Sequence, residues 1–113
     1  MTYTILGNPP SKANNYKIGR GKMYKDKSVT QYENDFTKQC REKNRMVSKK
    51  FSFAAVVFFR DSRSDLDNFC KVFLDCLQKN RVIKNDNLCM GIALFKEVDK
   101  KNPRVNYSIT ELP

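Results

Sequence analysis

Two carboxylates and a lysine fall within Ser64-Asp65-Leu66-Asp67-Asn68-Phe69-Cys70-Lys71, and a third carboxylate, Asp86, follows alone. Three carboxylates gathered at one place repel by about 4 kcal/mol per pair at 4 Å with an effective dielectric near 20. A hard divalent cation removes that repulsion. Mg²⁺ is the expected ion, because it takes oxygen ligands, keeps several waters and bridges to phosphate. Such an ion can generate hydroxide and stabilise the charge that builds on a phosphodiester during in-line displacement. Lys71, one helical turn beyond Asp67, could orient the attacking water or neutralise the phosphate, and Asn68 could hydrogen-bond the substrate or a water on the ion. Each residue also has a simpler role. Ser64-x-x-Asp67 resembles a capping box, and acids in a first helical turn favour the macrodipole. Asp67, Lys71 and Asp75 stand at the i, i+4, i+8 spacing of a surface ion-pair ladder, and Asp86 between two asparagines suits a turn.

The elements that position these residues are legible from periodicity. Residues 2–6 alternate as a short strand, stopped by Gly7-Asn8-Pro9-Pro10. Residues 11–27 read as a loop with a flexible tip at Gly19-Arg20-Gly21. Ser28 and Gln31 suggest a capping box opening a first helix, carried by Val29, Tyr32, Phe36 and Cys40 to about Lys43. Phe51 to Phe59 is apolar at nearly every position, as expected of a central strand covered on both faces. Arg60-Asp61-Ser62-Arg63 then delivers the chain to Asp65. Leu66, Phe69, Cys70, Phe73, Leu74 and Leu77 give the strongest helical pattern, ending near Lys79-Asn80. After the polar turn Lys84-Asn85-Asp86-Asn87, residues 88–98 read as a strand, and Val105, Tyr107 and Ile109 alternate in a closing one. The expected fold is α+β: a single small domain over residues 1–113, ordered β-α-β-α-β-β, with helices packed on a mixed sheet. Asp65 and Asp67 then stand at the mouth of the second helix and Asp86 at the entry to the next strand, from which the three are expected to converge.

Acid on a basic background suits the handling of a phosphate polymer. The formal net charge is +10, unevenly placed: residues 1–60 hold 13 Lys and Arg against 4 Asp and Glu, whereas residues 61–113 hold 9 against 8. The N-terminal half therefore carries a field that concentrates polyanions, though such a field says nothing of sequence or catalysis. Lys12, Lys17, Arg20 and Lys22, interleaved with Asn14, Asn15 and Tyr16, could track a DNA backbone, with tyrosine stacking or bonding phosphate; a solvated loop would look the same. Arg60 and Arg63 could add contacts beside the acids. Composition, 40% apolar and 30% charged, describes a globular domain. The longest strongly apolar run, residues 53–59, is too short to span a bilayer, and no signal segment opens the chain, so a cytoplasmic protein without membrane contact is expected. Cys40, Cys70, Cys76 and Cys89 lack zinc-site spacing and sit among apolar neighbours, as reduced, mostly buried thiols would. There are no histidines, which removes histidine-based acid–base and nucleophile schemes.

The motif Asp65-Leu66-Asp67-Asn68-x-x-Lys71, followed by an apolar helix and then Asp86 entering a strand, resembles the RusA family of Holliday-junction resolvases. Pro9-Pro10-Ser11 with Asn14-Asn15-Tyr16 is similar to that family's N-terminal Pro-Pro-Ser-Asn-Asn segment, and the element order agrees almost from end to end. The resemblance implies catalytic residues at Asp65, Asp67, Lys71 and Asp86, with Asp65, Asp67 and Asp86 holding Mg²⁺, or Mn²⁺ in its place, and Asp75 as a supporting acid. It implies a homodimer that nicks two strands of a four-way DNA junction symmetrically in recombination and repair, with no small-molecule cofactor. Small resolvases of this type often belong to prophages. Two departures stand out. Asn85 and Leu88 replace an Asp and a Gln common in the family, which bears on metal affinity. The arginine-rich run ahead of the motif is thinned to Arg60 and Arg63, which bears on junction contacts. The alternatives are a non-catalytic nucleic-acid-binding protein of the same fold and a metal-dependent nuclease for other branched nucleic acids.

Overall fold

A computed structural model describes residues 1–10, 16–19 and 22–113, with residues 16–19 and 22–25 described by their backbone alone. Phe51–Phe59 (β4) sits inside a four-stranded sheet of order β1-β6-β4-β5, formed with Tyr3–Leu6 (β1), Cys89–Val98 (β5) and Arg104–Glu111 (β6). β4 pairs antiparallel with β6 and parallel with β5, while β1 pairs antiparallel with β6. The parallel pair requires a crossover, and Leu66–Lys79 (α2) supplies it. Lys27–Gln39 (α1) packs beside α2, with Lys79 of α2 joined to Glu33 of α1 at 3.0 Å.

The core lies between the helices and one face of the sheet. Along β4, Phe51, Phe53, Ala55, Val57 and Phe59 are buried in strict alternation, with Val105, Tyr107 and Ile109 of β6 and Ile5 of β1 beside them. Val29, Tyr32 and Phe36 of α1 and Phe69, Val72, Phe73, Cys76 and Leu77 of α2 close the other side. Phe73 is the hub: its ring lies 5.2 Å from Phe36, Phe69 and Tyr107 and 5.7 Å from Phe53. Fully burying one such ring contributes about 1.5–3 kcal/mol.

Three expectations need correction. β4 is covered on one face only; Ser52, Val56 and Phe58 are half-buried and Ala54 is exposed on the other, because both helices lie on the same side. The first helix starts earlier and ends sooner than expected. Asp26, not Ser28, is its N-cap, accepting from the Ser28 amide at 3.2 Å and hydroxyl at 2.7 Å, while Gln31 donates to Asp35. Its end comes at Gln39 because Glu42 turns inward to pair with Arg45 at 2.6 Å and Asn44 adopts a φ of 64°. Within the segment expected to be a loop, Tyr16–Gly19 (β2) and Lys22–Lys25 (β3) pair antiparallel. The tip residues Arg20 and Gly21 lie outside the described residues. All four cysteines are free thiols, Cys40 and Cys76 buried and the other two half-buried. No helix among the described residues is long and apolar enough to cross a membrane.

Candidate active site

α2 begins where β4, its polar turn and the N-terminal segment meet. Gly7, at φ 114°, donates its amide to Pro103 at 3.0 Å, and the Asn8 side chain accepts from the Arg60 amide at 2.7 Å. Arg63 folds back on Asp61, pairing with it at 3.1 Å. From β5, Lys96 reaches over this turn and donates to the Ser62 and Ser64 carbonyls, each at 2.6 Å. The residue before Asp65 is thus held by a cation from a neighbouring strand.

Asp65 is the N-cap of α2. Its Oδ1 accepts from the amides of Asp67 at 2.8 Å and Asn68 at 3.5 Å, satisfying orphan donors of the first turn. Its Oδ2 makes no hydrogen bond among the described residues. Asp67, inside the first turn, is exposed, and so is Lys71 one turn on. Asn68 is half-buried, as is Asp75 further along. Two carboxylates and an ammonium thus share one exposed end of one helix.

Asp86 does not join them in the same chain. It opens a single 3₁₀ turn, Asp86–Leu88, whose N-cap Asn85 accepts from the Asn87 amide at 3.0 Å. Gln78, near the C-terminal end of α2, accepts from the Asp86 amide at 2.9 Å. Asp67 and Gln78 are eleven residues apart on one straight helix, an axial separation of about 16 Å. The expected convergence of all three acids is therefore corrected. The crossover that returns the chain to the start of β5 carries Asp86 to the opposite end of the sheet. Among the described residues no group of three potential metal ligands stands together.

The neighbouring groups are tuned by burial. Desolvation, helped by Cys89 and Asp67, pushes the Cys70 thiol up to about 11, which keeps it protonated beside the acids. The other predicted contacts are less fully placed. Lys12, Asn14, Asn15 and Arg20 lie outside the described residues, and Tyr16, Lys17 and Lys22 are placed in β2 and β3 by backbone only. Arg60 is exposed at the end of β4. Because Asn8 is tied to Arg60, the chain leaves Pro10 at the same end of the sheet as Asp65.

Two positioning side chains are absent from the sequence expectations. Lys96 had a signal, a lysine with only Glu97 beside it as a second charge in a largely apolar strand; Gln78, one polar residue among several near a helix end, had none. As donors, the acids fit a hard cation: all are oxygen ligands, all are exposed, and neither Asp67 nor Asp86 spends its carboxylate on a hydrogen bond or ion pair among the described residues. Comparison with known proteins then points to one lineage. The family profile described as Endodeoxyribonuclease RusA matches residues 7–110. A crossover junction endodeoxyribonuclease RusA of Aquifex aeolicus (strain VF5) is 31% identical over 96 residues, covering 81% of this chain and 76% of that protein. With its acids and lysine at the head of α2 and a profile match over nearly all of its length, the chain belongs to the RusA family of endodeoxyribonucleases.

Proposed function

We propose that this protein is a Mg²⁺-dependent, structure-selective endodeoxyribonuclease that resolves four-way DNA junctions by paired symmetric nicks, acting as a cytoplasmic homodimer in recombination and repair. The observation that carries the proposal is the exposed Asp65, Asp67 and Lys71 cluster at the head of α2 in a chain of this family. A two-fold dimer matches the symmetry of its substrate.

Asp65 and Asp67 of one subunit, with Asp86 of the partner subunit, would hold the ion. This arrangement follows from the length of α2, which keeps a chain's own Asp86 at the wrong end. When bound, the ion supplies activation of water and neutralisation of charge on the phosphodiester. Asp65 is pre-oriented for its part, since two backbone amides fix one oxygen and the other makes no hydrogen bond among the described residues. Lys71 presents a positive charge one turn away, suited to the negative charge that grows on the phosphate in the transition state. The Cys70 thiol, kept neutral, adds no competing negative charge to the site. Residues 1–60, with their excess of Lys and Arg, supply the field that draws the junction in.

The test is cleavage of a synthetic four-way junction beside a matched linear duplex, with Mg²⁺ and with chelator, using wild type and Asp67→Asn. Paired nicks on the junction alone, with metal alone and in wild type alone, are expected. Tight binding without cutting in wild type would make the chain a binding protein instead.

A further inference from the structure

Positive charge is gathered on two segments that the fold stitches into one surface. Residues 38–50, running from the last turn of α1 up to β4, and residues 79–84, at and just beyond the end of α2, hold nine Lys and Arg against one acid, Glu42. These nineteen residues carry +8 of the chain's +10. A ladder of backbone hydrogen bonds joins them. Asn44 donates its amide to the Asn80 carbonyl at 3.1 Å, Met46 to Arg81 and Val47 to Val82 at 2.9 Å each, and Lys84 donates back to Val47 at 2.9 Å. Buried Val47, Val82 and Ile83 anchor the ladder from beneath. It holds Asn44, Met46 and Arg81 in the left-handed region, at φ of 64°, 54° and 56°, although none is glycine. Such backbone persists only where its surroundings over-determine it, so the two segments form a fixed surface rather than two loose loops.

That surface is free to meet an anion. Its one acid is withdrawn: Glu42 is buried, with its carboxylate spent on Arg45 at 2.6 Å. Lys43, Lys49, Lys50, Arg81 and Lys84 are exposed and take part in no ion pair among the described residues. At the Asp65 end of the sheet, by contrast, three cations are spent inside the molecule: Arg63 on Asp61, Arg104 on Asp99, and Lys96 on two carbonyls. Five uncompensated cations on a rigid backbone repel one another, and a polyanion relieves that repulsion. A DNA duplex, with one charge per about 1.7 Å of its axis, is such a polyanion. Asn44 and Ser48, exposed among the cations, add the neutral donors that accompany Lys and Arg on phosphates. Met46 is the one large apolar side chain exposed here among the described residues, too little apolar area to seat the surface in a lipid interface.

We infer that the surface formed by residues 38–50 and 79–84 grips the phosphate backbone of a duplex arm of DNA without reading its sequence. Lys43, Lys49, Lys50, Arg81 and Lys84 are its phosphate ligands. The surface lies at the Asp86 end of the sheet: Lys84 precedes Asp86 by two residues, and Lys50 leads into Phe51, which pairs with Cys89. An arm held there runs up to Asp86. The contact supplies affinity and takes no part in bond cleavage. That the polyanion is DNA rests on the nuclease function proposed above; the surface itself rests on its charge and its backbone ladder.

The experiment uses the intact chain and reads binding apart from cutting. Affinity for a labelled four-way junction and for a linear duplex is measured with chelator present, from about 50 to about 200 mM NaCl. Lys49→Gln with Lys50→Gln, and Arg81→Gln with Lys84→Gln, are each expected to lower the salt slope of log Kd by at least about 1.8, two phosphates at about 0.9 each, and to weaken binding roughly 60-fold near 0.1 M salt on both DNAs. Lys100→Gln with Lys101→Gln removes the same charge from the exposed turn after β5 and is expected to leave the slope near the wild-type value. In Mg²⁺ at saturating protein, both pairs should nick at the wild-type rate. Arg81 sits in the ladder, so if circular dichroism shows that pair unfolded, the Lys49 and Lys50 pair, outside the ladder, decides alone. Slopes unchanged in the folded pairs, or lowered as much by the Lys100 and Lys101 pair, would overturn the proposal. So would binding to phosphatidylserine vesicles that needs these residues while the DNA slope does not. A wild type that shows the expected slopes and never cuts would remove the nuclease reading and leave the surface standing.

Discussion

Asp65 carries two roles that one pair of substitutions separates. Its Oδ1 caps α2 through the Asp67 amide at 2.8 Å and the Asn68 amide at 3.5 Å, and its Oδ2 is the proposed ligand. Asn is as good an N-cap as Asp, so Asp65→Asn keeps the cap and loses only the charge, a stability change of about 0.3–1 kcal/mol from the helix dipole. Asp65→Ala loses both oxygens, and cap removal costs about 1 kcal/mol on top of that charge. For a chain of this size 1 kcal/mol corresponds to a Tm lower by about 4 °C. Both variants should lose metal-dependent cleavage by more than the roughly 100-fold that partners outside the ligand shell are worth. Urea denaturation beside junction cleavage, on both variants and wild type, reads the two effects separately. If Asp65→Asn cuts at the wild-type rate, Asp65 is a helix cap and nothing more. If Asp65→Ala is as stable as Asp65→Asn, the capping geometry contributes nothing and the reasoning about α2 fails.

Two further outcomes follow from the core and the thiols. Phe73→Ala removes the ring that touches Phe36, Phe53, Phe69 and Tyr107, and should cost about 3–5 kcal/mol, a large share of the stability of a small domain; a loss under 1 kcal/mol in urea unfolding would mean the hub repacks freely. The Cys70 thiol, held up to about 11, should alkylate about a hundredfold more slowly at pH 8 than a free cysteine, as followed by mass spectrometry of the native protein. Because its folded pKa lies above the unfolded value, its contribution to stability is complete below about pH 9 and is lost as pH rises through about 11. Alkylation at the free-thiol rate would contradict the burial of that side chain.

Much of this was readable from residues alone, for identifiable reasons. The β4 bounds and the start of α2 follow from runs with a single periodicity, bounded by polar turns. The open second face of β4 was not readable, because a Phe- and Val-rich run looks the same whether one or two layers cover it; only the sheet order decides. The start of α1 is ambiguous in the sequence because Asp26 and Ser28 are both good caps two residues apart, and Asp26, which accepts from Ser28, takes the role. The β2–β3 hairpin hid in a basic segment whose composition masks its short alternation. The misplaced expectation at the site, convergence of Asp86, had its correction in the sequence itself. A helix of fourteen residues between Asp65 and Asp86 carries the chain about 21 Å along its axis, too far for one cation to span.

The proposed sharing of the active site between two subunits is tested most directly by inter-subunit complementation. Asp67→Asn and Asp86→Asn should each be inactive on a four-way junction alone. Co-expressed, they form heterodimers in which one site has Asp65 and Asp67 from one subunit and Asp86 from the other, all intact. Recovery of Mg²⁺-dependent nicking in the mixture, on one strand rather than two, is the predicted result; a mixture as inactive as its components would place all three acids of each site in a single chain, against the account given.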